Sequence, residues 1–239
     1  MKKIFKTLFV FMLAFIVISN VNAKEIYYTN DNGVALTKEE YDFLGEMYWD
    51  GFQKSMTKEE YDFYNDGNYF NGTVEKRVVY DSSLTRDTYH STANKSIQIT
   101  KTCNTTCAIA TTVQWINNPT IRSYDVIGAY LYNTSKIGSI NAYAATNENT
   151  NVAAISNIKT NGFGSSVLLP SGSNVRVRQT FSVTKGGRVY ASYQHAIKNT
   201  TLAISQQYNI AITGYGNVFA FYGDAVNIYD NMNGVDIEV

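Results

Sequence analysis

Apolar and polar side chains alternate most regularly between Asn174 and Ile212. Val175, Val177, Phe181 and Val183 fall on one side, and Arg176, Arg178, Thr180 and Ser182 on the other. A period of two belongs to a half-buried strand, whose successive side chains leave opposite faces. Lys185-Gly186-Gly187 then supplies a turn with two residues free to take positive φ, and the alternation resumes through Val189, Ala191 and Tyr193. After Lys198-Asn199-Thr200 a third run carries Leu202, Ile204, Tyr208, Ile210 and Ile212. The three runs predict an antiparallel meander.

The same period recurs upstream. Ile97 and Ile99 alternate with polar neighbours, and Cys107, Ile109, Val113 and Trp115 oppose Ala108, Ala110, Thr112 and Gln114. Asp125, Ile127, Ala129 and Leu131 oppose Tyr124, Val126, Gly128 and Tyr130, with Asn117-Asn118-Pro119 breaking the chain between the two runs. Further strands are expected at Val78 to Tyr80, Ser139 to Ala145 and Val218 to Tyr222. A closing edge strand is expected at Val235 to Val239, blunted by Asp236 and Glu238. Roughly nine or ten strands at 8 to 12 residue spacing imply a mainly β fold, an antiparallel β-sandwich or jelly-roll-like domain over 73–239.

Residues 24–72 have a different character. Leu36-Thr37-Lys38-Glu39-Glu40-Tyr41-Asp42-Phe43 is echoed twenty residues later by Met56-Thr57-Lys58-Glu59-Glu60-Tyr61-Asp62-Phe63. In each copy the threonine is an N-cap and the second glutamate, three residues on, completes a capping box, with Leu36 or Met56 as a staple. Two short amphipathic helices follow, the first presenting Tyr41, Leu44, Met47 and Tyr48 on one face, and the segment reads as an aromatic-rich helical hairpin. Its twelve aromatic residues exceed what one hairpin can bury. Tyr48, Trp49, Phe52, Tyr64 and Tyr69 are therefore the candidate contact rings for a glycan or protein partner. Asn30-Asp31-Asn32-Gly33 imitates a calcium loop, but Tyr28 stands where the first carboxylate ligand is required.

Residues 1–23 read as a secretory signal peptide. Lys2, Lys3 and Lys6 precede an apolar run of about a dozen residues, too short for a span of roughly 20, and Val21-Asn22-Ala23 places cleavage after Ala23. Removing it leaves 17 basic residues against 20 acidic ones. That balance excludes a nucleic-acid partner, which needs a basic stripe against phosphate. The enrichment in Asn, Lys, Ile and Tyr resembles the usage of an AT-rich bacterial genome. Cys103 and Cys107, four apart in an exported chain, predict a disulfide pinching a turn between two strands.

Chemistry-bearing signals are sparse. His195 falls by alternation on the inward side with Ala191 and Tyr193, as a hydrogen-bonded interior residue. His90 lies among hydroxyls, but no Gly-x-Ser-x-Gly elbow frames a nucleophile. Glu39, Glu40, Glu59 and Glu60 sit in first helical turns, where the helix dipole explains them. No catalytic set, metal cluster or cofactor loop is expected. The sequence thus predicts a secreted, non-enzymatic bacterial module for binding or adhesion to a glycan or protein at the cell exterior. The stretch Asn141 to Ser166, polar and rich in small residues, reads as a pair of plain outer strands turning at Thr160-Asn161-Gly162. The alternative function is a β-type membrane-active protein in which this stretch is held loosely and released as a hairpin. A secreted hydrolase of unfamiliar design is the third.

Overall fold

In a computed structural model, residues 24–49, 51–80, 95–230 and 232–239 are described. The signal segment 1–23 and His90 lie outside them. The chain opens with β1 (Tyr28–Thr29) and β2 (Ala35–Leu36), followed by helices α1 (Lys38–Met47), α2 (Phe52–Ser55) and α3 (Lys58–Asp66). Then come β3 (Glu75–Tyr80), β4 (Lys95–Cys103), β5 (Cys107–Trp115), β6 (Tyr124–Tyr132), β7 (Lys136–Ala145) and β8 (Thr150–Val152). They are followed by β9 (Ala154–Lys159), β10 (Gly162–Leu168), β11 (Arg176–Val183) and β12 (Arg188–Gln194). Helix α4 (Leu202–Ser205), β13 (Tyr208–Ile210), β14 (Phe219–Phe221) and β15 (Val235–Glu238) complete it. No helix among the described residues is long and apolar enough to cross a membrane.

Two antiparallel sheets face each other, one of six strands in the order β3-β4-β5-β11-β7-β8, one of five in the order β15-β12-β6-β10-β9. The alternation fixes which side chains meet between them. Ile97, Ile109, Val113, Trp115, Val177 and Phe181 from the first sheet pack on Ile127, Leu131, Phe163, Val189, Tyr193 and Ile237 from the second. Trp115 anchors this core at 3 % exposure. The edge strand foreseen at the C-terminus is β15, which among the described residues pairs with β12 alone. Cys103 and Cys107 are disulfide-bonded and directly opposed across the β4–β5 turn.

The expected meander is corrected in two respects. β11 pairs with β5 and β7, and β12 pairs with β6 and β15, so the Lys185-Gly186-Gly187 turn carries the chain from one sheet to the other. Gly186 and Gly187 do take positive φ, 90° and 110°. The third run is no long strand. Thr201 caps the short helix α4 at Ile204 N–H, and β13 pairs with β14 in a small separate sheet. Alternation specifies faces, not partners, so a sandwich crossing and a hairpin look alike in sequence.

Both outer faces of the sandwich carry a further layer. β13, β14 and the segment through Tyr229 lie on the five-stranded sheet, where Val126 meets Tyr208, Val218, Phe219 and Tyr229. Glycine makes that approach possible: a Cβ on Gly128 would come within 2.8 Å of the Phe219 ring, and one on Gly164 would collide with the Tyr208 hydroxyl. On the six-stranded sheet lie α1 to α3, whose apolar cluster takes in Ala108 and Ala110 of β5. In α1 the buried face is Phe43, Leu44 and Met47, while Tyr41 is only half-buried. Both capping boxes are formed, Thr37 with Glu40 and Thr57 with Glu60. The Asn30 side chain donates to the Gln53 and Met56 carbonyls, tying the β1–β2 turn to the helices.

The stretch Asn141 to Ser166 spans both sheets. β9 is an outer strand, but β10 lies between β9 and β6 and is buried over most of its length, so the segment is not a pair of outer strands.

Candidate functional site

Four of the five candidate contact rings are interior, which corrects the expectation of an exposed five-ring platform. Tyr48 is 4 % exposed, stacks on Phe52 at 3.8 Å between centroids, and bonds through its hydroxyl to Tyr64 (2.8 Å) and Thr180 (3.0 Å). Phe52 and Tyr64 have no exposed surface. Tyr69 bonds to Thr106 (2.6 Å) and Ser182 (3.0 Å). The cause lies in the strands beneath, whose outward residues Thr100, Ala108, Ala110, Thr180 and Ser182 are small enough to admit a second core. Burial pushes the Tyr48 hydroxyl up to about 12 and that of Tyr64 well above the usual tyrosine value.

Arg178 projects from β11 into this layer and pairs with Glu60 of α3, both nearly inaccessible. Its guanidinium lies 4.5 Å from the Phe52 ring centroid and 4.8 Å from that of Tyr143. Glu60 thus caps α3 through the Thr57 N–H and neutralises a buried cation. Its repeat counterpart Glu40 likewise caps α1 through the Thr37 N–H and pairs with Lys24, an exposed cation. The capping box and the helix dipole, both expected from the sequence, account for the glutamates' place in the helix but not for their ion pairs.

The outward face of the six-stranded sheet grades from covered to open, row by row. Thr102, Ala108 and Ser182 form one row; Thr100, Ala110 and Thr180 form the next; all are buried under the helices. The following row runs Val78, Gln98, Thr112, Arg178, Tyr143, Val152, and the helical layer ends over it: Gln98 donates to the Tyr48 carbonyl, while Val152 is 76 % exposed. Beyond it lies Tyr80, Ser96, Gln114, Arg176, Ala145, Thr150. Each residue in this last row is half-buried or exposed.

Trp49 closes the helical end of that open row. It is half-buried, and the Arg176 guanidinium sits 5.1 Å from its ring centroid. Arg178 lies 5.8 Å from the same ring, so two guanidinium groups flank one indole. Arg178 has Glu60, while among the described residues the Arg176 side chain makes no hydrogen bond or ion pair; the buried Nε of each arginine has no acceptor. Partial burial lowers the Arg176 pKa from its ordinary value, the sign of desolvation without an anion to offset it. Burial raises the Tyr143 hydroxyl, with Glu60 and Glu59 adding to the rise. Chemically, the strip offers a stacked cation, two partly exposed aromatic rings and the exposed amide of Gln114.

His195 occupies the interior position that alternation assigned it. Its Nδ1 lies 3.0 Å from Asp125, which also accepts from the Ala196 N–H (2.9 Å) and the Tyr193 hydroxyl. Asp230 accepts from the His195 N–H and pairs with Lys95, and Trp115 donates to Tyr193. Asp125 has no exposed surface. The arrangement ties β4, β6 and β12 together at one end of the sandwich. A shallow depression lined by Tyr132, Gly187, Arg188, Glu238 and Val239 is crossed by the Arg188–Glu238 ion pair. No group of three or more potential metal ligands occurs among the described residues.

No family model and no curated protein matches the sequence. Among solved structures, the chain is similar to the collagen-binding subdomain of the Enterococcus faecalis surface protein ACE, at 8 % identity, a TM-score of 0.32, and coverage of 41 % of this chain and 82 % of that one. It is also similar to a collagen-binding domain from a Staphylococcus aureus adhesin, at 9 % identity, a TM-score of 0.31, and coverage of 56 % and 87 %.

Proposed function

We propose that this chain is an exported, non-enzymatic recognition module that binds a glycan or protein at the cell exterior through the open row around Trp49, Tyr143, Arg176 and Gln114. One observation carries the proposal: Arg176 is half-buried against Trp49 and has no acidic partner among the described residues. Desolvating a cation costs free energy; the Trp49 ring offsets part of it but no carboxylate among the described residues does, whereas Arg178 two residues on is paired with Glu60. An incoming ligand supplies the missing partner. The surrounding layers keep the site rigid, so binding orders little.

Export follows from the signal peptide expected at 1–23, and the disulfide suits an oxidising exterior. Trp49→Ala is expected to abolish retention of the purified protein on bacterial envelopes or glycan arrays while leaving the far-UV circular dichroism spectrum unchanged. Absence of wild-type retention on both supports would overturn the proposal, as would full retention by Trp49→Ala.

A further inference from the structure

We infer that the ligand of this strip is an acidic polysaccharide, with a sugar carboxylate received by Arg176 beside Trp49. The inference rests on the recognition function proposed above and names its substrate class. With the Arg176 Nε buried, the edge formed by its two terminal amino groups is the one left for a planar anion, and carboxylate is the biological anion that matches it with two parallel hydrogen bonds. Arg176 is the surplus charge here: Arg178 is neutralised by Glu60, and the remaining nearby acid, Glu59, acts on Tyr143.

Three features favour a sugar chain over an acidic peptide. β11 is hydrogen-bonded to β5 on one side and β7 on the other, so its backbone has nothing to offer an added strand, the usual route to holding an extended peptide on a sheet. The strip offers flat rings and side-chain polar groups in place of an apolar pocket: the hydroxyl of half-buried Tyr143 and the amide of exposed Gln114 suit ring hydroxyls. Finally, the open row crosses all six strands, a span of roughly 24 Å at the usual strand spacing, which accommodates a chain of sugar units rather than one.

The mature chain expected from the sequence carries 17 basic and 20 acidic residues, so a polyanion has no general attraction to it. Isothermal titration of the full mature chain with polygalacturonate, carboxyl-reduced polygalacturonate and poly-L-glutamate distinguishes the cases. Binding to polygalacturonate is expected, weakened at least about tenfold by carboxyl reduction and by Arg176→Gln, with poor rescue by Arg176→Lys because an ammonium cannot form the two-pronged contact. Thermal melting of Arg176→Gln, expected to match wild type, separates lost contact from lost fold. Equal affinity for the reduced polymer, tighter binding of poly-L-glutamate, or no binding to either acidic polymer would overturn the inference. Envelope retention that still depends on Trp49 would in each case leave the recognition function standing.

Discussion

Arg178 on β11 and Glu60 on α3, 118 residues apart, form an ion pair in which neither side chain is as much as a tenth exposed. This pair clamps the helical layer to the six-stranded sheet and engages the Glu60 carboxylate with Arg178 rather than Arg176. Glu60→Gln keeps the capping box, since glutamine serves at that position, yet removes the charge. Unfolding in guanidinium chloride is expected to show a loss of roughly 3–5 kcal/mol, from the uncompensated Arg178, and Arg178→Met in the same chain should recover much of it. A loss below about 1 kcal/mol, the usual value of a surface pair, would mean the clamp is solvated.

Alkaline pH should attack the layers through their tyrosines. Tyr48 and Tyr208 are pushed from 10.0 up to about 12 by burial, and burial raises Tyr64 and Tyr193 well above 10.0 as well. Because the folded value lies above the unfolded one, this contribution is complete below pH 10 and is lost as pH rises toward 12. Phenolate absorbance is expected to rise in two stages, the second coinciding with loss of far-UV ellipticity. A single tyrosine transition centred near pH 10 that accounts for every tyrosine in a still-folded protein would contradict the burial.

Gly164 permits the approach of Tyr208 to the five-stranded sheet. Gly164→Ala is expected to cost about 1–3 kcal/mol and to loosen the β13–β14 layer first, seen as faster amide exchange at Tyr208–Ile210 than in β6. Gly214, with open space around it, is the control, and Gly214→Ala should change stability by no more than about 0.5 kcal/mol. Equal effects at both positions would remove the packing explanation.

The Cys103–Cys107 bond closes a five-residue loop inside a turn already fixed by β4 and β5. Chain entropy for so small a loop is about 2 kcal/mol, so Cys103→Ser with Cys107→Ser should fold, with a correspondingly lower melting temperature. Failure to fold would assign the bond a larger role than closure entropy gives it.

Much of the sandwich was legible because one period governs it. The opposed sets in Cys107–Trp115 and Tyr124–Tyr132 identify their own inner faces, Asp125 included, and Val235 to Glu238 reads as an edge from its two acids. Partner choice was not legible, since β11 and β12 flank a glycine turn yet belong to different sheets. The short helix α4 hid behind an apolar run, its only signal being Thr201 as a cap. The covering of Tyr48, Phe52, Tyr64 and Tyr69 was missed for a different reason. Attention to aromatic content alone overlooks the outward Ala108, Ala110, Thr180 and Ser182, whose small size is the sequence signature of a layer above. Arg178 looked like an ordinary solvent-facing residue, and only the fold separates it from Arg176.

The most direct measurement uses the two tryptophans, one buried at the core and one at the open row. With Trp115→Phe in place, Trp49 is the sole indole, and its emission can be followed while polygalacturonate is added. A saturable change that disappears when Arg176→Gln is combined with it is the predicted result. Unchanged Trp49 emission alongside calorimetrically demonstrated binding would place the ligand elsewhere on the molecule and contradict the account.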